Sequence, residues 1–258
     1  GLSKPFVLWA DVFPTVVRPN VETYAVGPDS KTIESEFITA AERQVTTFTA
    51  KAGERWIFDI TAGRIGSEAV PRIDLLDPTG KQIETATTDG ISDARINYVM
   101  ESDGIYSLAI TSAAAHFVPH AHFRLTLGKL PVLKTYMPHG ERAGRVVQMI
   151  FESQNSLGAA RGSMPIPADA PEGPIMGTVR TPLGFTLTFP FLVDNDPVAS
   201  ITESDALMPL PLLPGSLEGW FQVYPRIKFF FPAKAGESFL FDFFASRIGS
   251  VVEGELEI

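Results

Sequence analysis

The chain has 258 residues, 45% of them hydrophobic, with 21 Gly, 21 Pro and no Cys, and its formal charge is −9. The lack of cysteine excludes disulfides, thiolate metal sites and cysteine nucleophiles, and the acidic balance, with no Lys/Arg cluster against it, disfavours a nucleic-acid partner. No apolar run approaches the roughly 18 residues of a membrane span, since the richest, Lys228 to Pro232 and Phe239 to Ala245, are short and carry charges.

In chain order, residues 1–8 (GLSKPFVL) share a Gly-then-Pro-Phe-aliphatic pattern with residues 184–193 (GFTLTFPFLV). They read as the last strand of a preceding domain, and an opening Gly in place of Met reads as a start internal to a longer protein. Asp11 to Ser30 carries several prolines and no period, as a linker does. Strands are expected at Thr46–Thr49, Arg55–Thr61 and Arg72–Leu76. Asp77-Pro78-Thr79-Gly80 then suits a type I turn, with Pro second and Gly fourth, and Lys81–Ala86 returns. Arg95–Met100 places Ile96, Tyr98 and Met100 inward, Asp103-Gly104 turns the chain, and Ile105–Thr111 places Tyr106, Leu108 and Ile110 inward. Ala121–Leu127 closes the set with Phe123, Leu125 and Leu127 in the core. Short apolar runs broken every ten residues or so by Gly, Pro, Asp and Asn mark an all-β chain, here a two-sheet sandwich.

From Pro131 to Asp194 a smaller unit is expected, with strands at Arg145–Glu152 and Thr178–Arg180, a loop from Pro165 to Gly173, and a closing stretch from Leu183 to Val193. Beyond Pro197 the first sandwich recurs. Residues 50–67 (AKAGERWIFDITAGRIGS) and 233–250 (AKAGESFLFDFFASRIGS) lie 183 positions apart and agree at twelve of eighteen, an internal repeat of domain size. In the first copy Trp56, Phe58 and Ile60 alternate with Ile57, Asp59 and Thr61, a period of two that puts the first three on one buried face. The second copy keeps Phe239, Phe241 and Phe243 there. Asp59 and Arg64 recur as Asp242 and Arg247 and read as a structural pair pinning the next turn.

The motifs F-x-A-K-A-G-E-x-x-x-F-D (Phe48 to Asp59), A-x-R-I-G-S (Ala62 to Ser67), I-D-L-L-D-P-T-G (Ile73 to Gly80), D-G-I-Y-S-L (Asp103 to Leu108) and F-R-L-T-L-G (Phe123 to Gly128) stand in an order that resembles the bacterial pre-peptidase C-terminal domain. The resemblance covers roughly residues 20–130 and part of 197–258. It implies a jelly-roll-like β-sandwich appended to exported bacterial proteins, non-catalytic, sometimes calcium-binding and sometimes credited with binding polysaccharide or protein. The intervening unit, with Pro138-His139-Gly140, the 168–173 loop and Thr181-Pro182-Leu183-Gly184, is similar to the Ig-like IPT/TIG domains.

His120 and His122 lie two apart on one strand face, opposite Phe123, and a His-x-His pair can hold zinc or copper. A third ligand is needed, however, and Arg124 extends from the same face with an opposing charge, so an ordinary polar face is expected. His116 is near in sequence, while His139 reads as a loop residue. Asp89, Asp93 and Asp103 fall at turns of the kind calcium uses, but turn formation accounts for them. No G-x-S-x-G is present, and Ser67 and Ser250 follow Gly in turns with no base near in sequence. No catalytic, cofactor or metal residue is therefore assigned, calcium being the one cation those turns leave open.

The expectation is an all-β array: residues 1–12, the last strand of an Ig-like unit; 13–130, a jelly-roll-like sandwich; 131–196, a short Ig-like sandwich unit; 197–258, the first part of a second, truncated sandwich. The leading function is a non-catalytic structural or binding module of an exported bacterial protein, extracellular, surface-bound or periplasmic, with polysaccharide or protein as partner. An accessory region of a secreted peptidase or other hydrolase, and a metal-dependent enzyme built on His120 and His122, are the alternatives.

Overall fold

The computed structural model describes residues 12–88, 93–155, 158, 160–196, 198–200, 208–209, 213–219 and 228–243. Residues 1–8, Asp89, Arg247 and Ser250 lie outside the described residues. The chain divides into two compact units, Gly1–Leu130 and Pro131–Ile258. Among the described residues no helix is long and apolar enough to cross a membrane.

The first unit contains β1 (Thr15–Val17), β2 (Thr23–Ala25), β3 (Lys31–Phe37), β4 (Arg43–Ala50), β5 (Arg55–Thr61), β6 (Pro71–Leu76), β7 (Gln82–Thr87), β8 (Arg95–Val99), β9 (Gly104–Ser112) and β10 (Ala121–Gly128). They form two five-stranded sheets, ordered β1-β3-β10-β5-β8 and β2-β4-β9-β6-β7. Except at the β6–β7 hairpin, each connection carries the chain from one sheet to the other. The Asp103-Gly104 turn is thus a crossing between sheets, with β8 pairing β5 and β9 pairing β4 and β6.

The core lies between the sheets. Phe37, Phe48, Trp56, Phe58, Ile60, Ile73, Leu75, Ile96, Tyr106, Leu108, Phe123 and Leu125 are buried together, each large side chain contributing about 1.5–3 kcal/mol. Phe48 packs on Trp56 at 4.5 Å and on Phe58 at 5.1 Å between ring centroids. The period-two assignments hold, and β5 is covered on its other face as well, with Ile57, Asp59 and Thr61 at 0%, 3% and 6% exposure.

The expected linker is corrected by β1 and β2. Each adds a three-residue parallel edge, β1 to β3 and β2 to β4, too short for any sequence period to register. β3 was also unforeseen: its Lys31, Glu34 and Glu36 make it look like loop, whereas Ile33 and Phe37 point into the core.

Turns follow their residues. The Gly80 N–H donates to the Asp77 carbonyl at 2.9 Å, closing the expected turn, and Asp77 Oδ1 accepts from the N–H groups of Thr79 and Lys81. These bonds hold the Asp77 carboxyl below its ordinary pKa, led by the Thr79 hydroxyl.

The second unit contains β11 (Val132–Met137), β12 (Gly140–Arg142), β13 (Val146–Gln154), β14 (Arg161–Pro165), β15 (Gly173–Gly177), β16 (Arg180–Thr181), β17 (Gly184–Phe185) and β18 (Phe189–Asp194). Sheets β11-β13-β14 and β12-β18-β15 share a core of Tyr136, Val147, Met149, Phe151, Met164, Ile166, Val179, Phe189, Phe191 and Val193. The expected strand at Thr178–Arg180 is met only in part, by β16, and β15 is an unforeseen strand, a Gly- and Pro-containing segment that looks like loop in sequence. Gly177 is opposite Phe189, and a Cβ there would meet Met164 Sδ at 2.4 Å, so close approach replaces side-chain packing at that position.

Further on, β19 (Val198–Ser200) runs parallel to β21 (Ser216–Glu218), and β20 (Met208–Pro209) parallel to β22 (Phe229–Phe230). The turn of the second repeat copies the first. The Glu237 N–H donates to the Lys234 carbonyl at 3.1 Å, as Glu54 does to Lys51 at 3.1 Å, and Gly236 (φ 90°) matches Gly53 (φ 82°). The following residues differ: 238–243 join no strand, and Phe239 and Leu240 are 39% and 94% exposed. Phe231 packs against Phe239 at 4.8 Å and Phe241 at 5.4 Å.

Candidate functional site

Two places in the first unit gather polar side chains. One lies where β5 ends. The Arg64 guanidinium donates to Asp59 Oδ2 and Asp93 Oδ2, both at 2.9 Å, and Arg95 Nε donates to Asp59 Oδ1 at 2.6 Å. Asp93 also accepts the Gly63 N–H at 2.8 Å, capping the 3-10 turn Gly63–Ile65. Burial opposes ionisation of Asp93, but the Arg64 guanidinium and the N–H groups of Gly63 and Ala62 hold its carboxyl below the usual range. Burial likewise opposes the Arg64 charge, and Asp59 and Asp93 override it and raise the Arg64 pKa. The Asp59–Arg64 pair does pin the turn, and two residues not assigned to it, Asp93 and Arg95, complete a closed ion-pair network. Its acids are occupied by guanidinium and backbone, which makes it a structural clasp.

Two more motif acids are used similarly. Asp103 Oδ1 accepts the Ala52 N–H at 2.8 Å, tying the two turns that cross between sheets. Glu54 accepts from Lys51 N–H at 3.1 Å, Trp56 Nε1 at 3.1 Å and Lys129 Nζ at 2.9 Å. Burial works against its charge, yet these donors keep Glu54 below its ordinary pKa.

The other place is a concavity of about 400 Å³ over β1, β3 and β10, with Arg18, Glu34, Glu36, Glu42, His122 and Arg124 among its lining residues. β10 runs antiparallel to β3 with His122 opposite Glu36 and Arg124 opposite Glu34, so the ladder register sets base against acid twice. Arg124 Nε lies 3.4 Å from Glu34 Oε1. Arg18, just past β1, donates through its guanidinium to the carbonyls of Pro19, Glu22 and Val45. Burial pulls its pKa below the ordinary value, while the Glu42 charge acts the other way. Gln44 bridges the floor, donating to the Glu36 carbonyl at 2.7 Å and to Glu42 Oε1 at 2.8 Å and accepting from Ser35 Oγ at 2.6 Å.

The histidine pair sits at the rim. His120 and His122 both present Nδ1 to Glu36 Oε2, at 3.0 Å and 3.8 Å. His139 lies in the second unit, its N–H donating to Glu218 Oε2 at 2.7 Å and its ring 4.9 Å from Tyr136. Among the described residues no group of three or more His, Asp or Glu side chains is placed so that it could hold a metal ion. Glu34 and Glu36 were missed in sequence because β3, which carries them, was missed, and the alternating Ile33-x-Ser35-x-Phe37 was the available signal; Arg18, Glu42 and Gln44 join them only through the fold.

The chain matches no protein-family model and no curated protein. Among solved structures it is similar to the pre-peptidase C-terminal domain of a collagenase from Bacillus anthracis, at 15% identity over 43% of this chain and 97% of that one, with a TM-score of 0.34. It is also similar to a periplasmic inhibitor of g-type lysozyme from Aeromonas hydrophila (18% identity, 42% of this chain, 96% of that one, TM-score 0.32). A beta-glucosidase from Paenibacillus barengoltzii is matched at 14% identity over 46% of this chain and 13% of that one, with a TM-score of 0.21.

Proposed function

We propose that this chain is a non-catalytic binding module of a larger exported bacterial protein, working at the cell surface, in the medium or in the periplasm. The first unit is read as a pre-peptidase C-terminal-like sandwich, the segment 131–196 as a short Ig-like unit, and residues 197–258 as a partial second sandwich. The observation that carries the reading is the employment of the motif acids and of the turn acid Asp93. Asp59, Asp77, Asp93, Asp103 and Glu54 are each bound to guanidinium, ammonium, hydroxyl or backbone N–H groups that hold turns. Groups so engaged build a scaffold. The copied turn at Lys234–Glu237 supports the tandem reading.

The partner proposed is an extended polymer, polysaccharide or polypeptide, lying in the β1–β3–β10 concavity, where Arg and Glu side chains of both signs line the wall without a dominant charge. Backbone amide shifts of the chain, followed while soluble polysaccharide fragments or unstructured peptides are added, test this. Weak, saturable shifts confined to Arg18, Glu34–Glu36, Gln44 and His122–Arg124 are expected. Saturable binding elsewhere, or none to any extended polymer, would overturn it.

A further inference from the structure

We infer that β21 and residues 238–243 are the two edges of a strand-acceptor site for an extended polypeptide segment of the β10 type, an antiparallel strand with a large apolar side chain at every second position, supplied by a partner chain. The inference rests on the reading of residues 197–258 as a partial second sandwich, and it starts from how far the second copy follows the first. At the offset of 183 residues, β19 falls on β1 and β21 falls within β3, and the parallel pair β1–β3 recurs as β19–β21. The parallel pair β2–β4 recurs in the same way as β20–β22. Phe231 stands where Phe48 does. Its ring is 4.8 Å from Phe239 and 5.4 Å from Phe241, against 4.5 Å and 5.1 Å from Phe48 to Trp56 and Phe58.

The copies part at the next strand. β5 is held on both sides, by β8 and β10, and β10 stands between β3 and β5 in its sheet. Among the described residues the equivalents of β3 and β5 lack that middle strand: β21 pairs with β19 alone, and 238–243 join no strand. The side chains record the difference. Trp56, Ile57 and Ile60 are 1%, 0% and 0% exposed, whereas Phe239, Leu240 and Phe243 at the same positions are 39%, 94% and 36% exposed. Large apolar side chains on a segment outside any ladder suit strand addition, in which main-chain hydrogen bonds give affinity and alternate side chains give specificity. The first copy also shows which strand fits. β10 sets Leu125 opposite Ile60, Leu127 opposite Phe58 and Gly128 opposite Ile57, and on its other side it sets Leu125 opposite Ile33. Carried over by the offset, an incoming Leu-x-Leu meets Phe243 and Phe241, and a small residue after it meets Leu240. The first Leu meets Leu217 as well, which pairs Ala199 as Ile33 pairs Val16.

The test adds a synthetic peptide with the sequence of residues 119–130 to the whole chain and follows backbone amide shifts, amide exchange and sedimentation. One peptide per chain should bind, with exchange slowed at 216–218 and 238–243. First-unit amides should not move, because β10 already fills that place there. Leu125→Lys with Leu127→Lys in the peptide should cost at least about tenfold in affinity, as should Phe241→Asp in the chain. No saturable binding, binding indifferent to the two leucines, or a chain that pairs with its own copy through 238–243 and excludes the peptide would overturn the site. Ring contacts of Phe231 with Phe239 and Phe241, read without peptide by Overhauser effects between labelled phenylalanines, report the partial-sandwich reading separately. Contacts kept while the peptide fails to bind overturn the site alone, and contacts absent overturn both.

Discussion

Asp93 Oδ2 accepts a hydrogen bond from Arg64 Nε at 2.9 Å, joining residues 29 apart in the chain. The carboxylate is nearly sealed, at 2% side-chain exposure, and it also caps Gly63. Asp93→Ala should therefore cost about 2–4 kcal/mol of first-unit stability, measured by denaturant unfolding. The folded-state pKa is depressed, so the stabilisation is present above the unfolded value of about 3.9 and is lost as pH falls through the folded value. Asp93→Asn should flatten that part of the acid limb, below about pH 4.

Gly53 and Gly236 occupy the same left-handed position in the two copies of the turn. Gly53→Ala should destabilise the first unit by about 1–2 kcal/mol. Gly236→Ala should leave that transition where it is, while both substitutions loosen their own turns, as read by exchange of the Glu54 and Glu237 amides.

Tyr136 is pushed up to about 12 by burial, and its hydroxyl donates to the Pro190 carbonyl. A raised pKa means that its contribution is complete below the unfolded value of about 10 and is lost as pH rises through the folded one. Ultraviolet titration should show one tyrosine ionising near 12, together with loss of the second unit's fold. Tyr136→Phe should remove that late step at a cost of about 1 kcal/mol.

A Cβ at Gly162 would lie 2.2 Å from Val179 Cγ1, in a core where Val179 is fully buried. Gly162→Ala should cost about 1–3 kcal/mol by overpacking. Paired with Val179→Ala it should recover part of that loss, seen as non-additivity in a double-mutant cycle.

The strands with a clean period of two were legible, since Trp56-x-Phe58-x-Ile60 and Phe123-x-Leu125-x-Leu127 have one core-facing assignment each. β3 was not: its outward Glu34 and Glu36 gave it the look of a loop, and only the partner strand β10 reveals that they answer His122 and Arg124. The edge strands β1 and β2 have three residues each, fewer than a period needs. β15 was hidden by Gly173, Pro174 and Gly177, and of these Gly177 is explained only by Met164 and Phe189 packed against it. The clasp was half visible, in the repeated Asp59 and Arg64, whereas Asp93 and Arg95 join it through the fold.

Turnover is the measurement that reaches the central claim most directly. The purified chain, incubated with peptide, ester, phosphate and glycoside substrates with and without added Zn²⁺ and Ca²⁺, should convert none of them, because its motif acids are spent on turns and sheet crossings. Reproducible hydrolysis that vanishes on changing a single residue, Asp59 or Asp93 above all, in a variant that still folds would contradict the account.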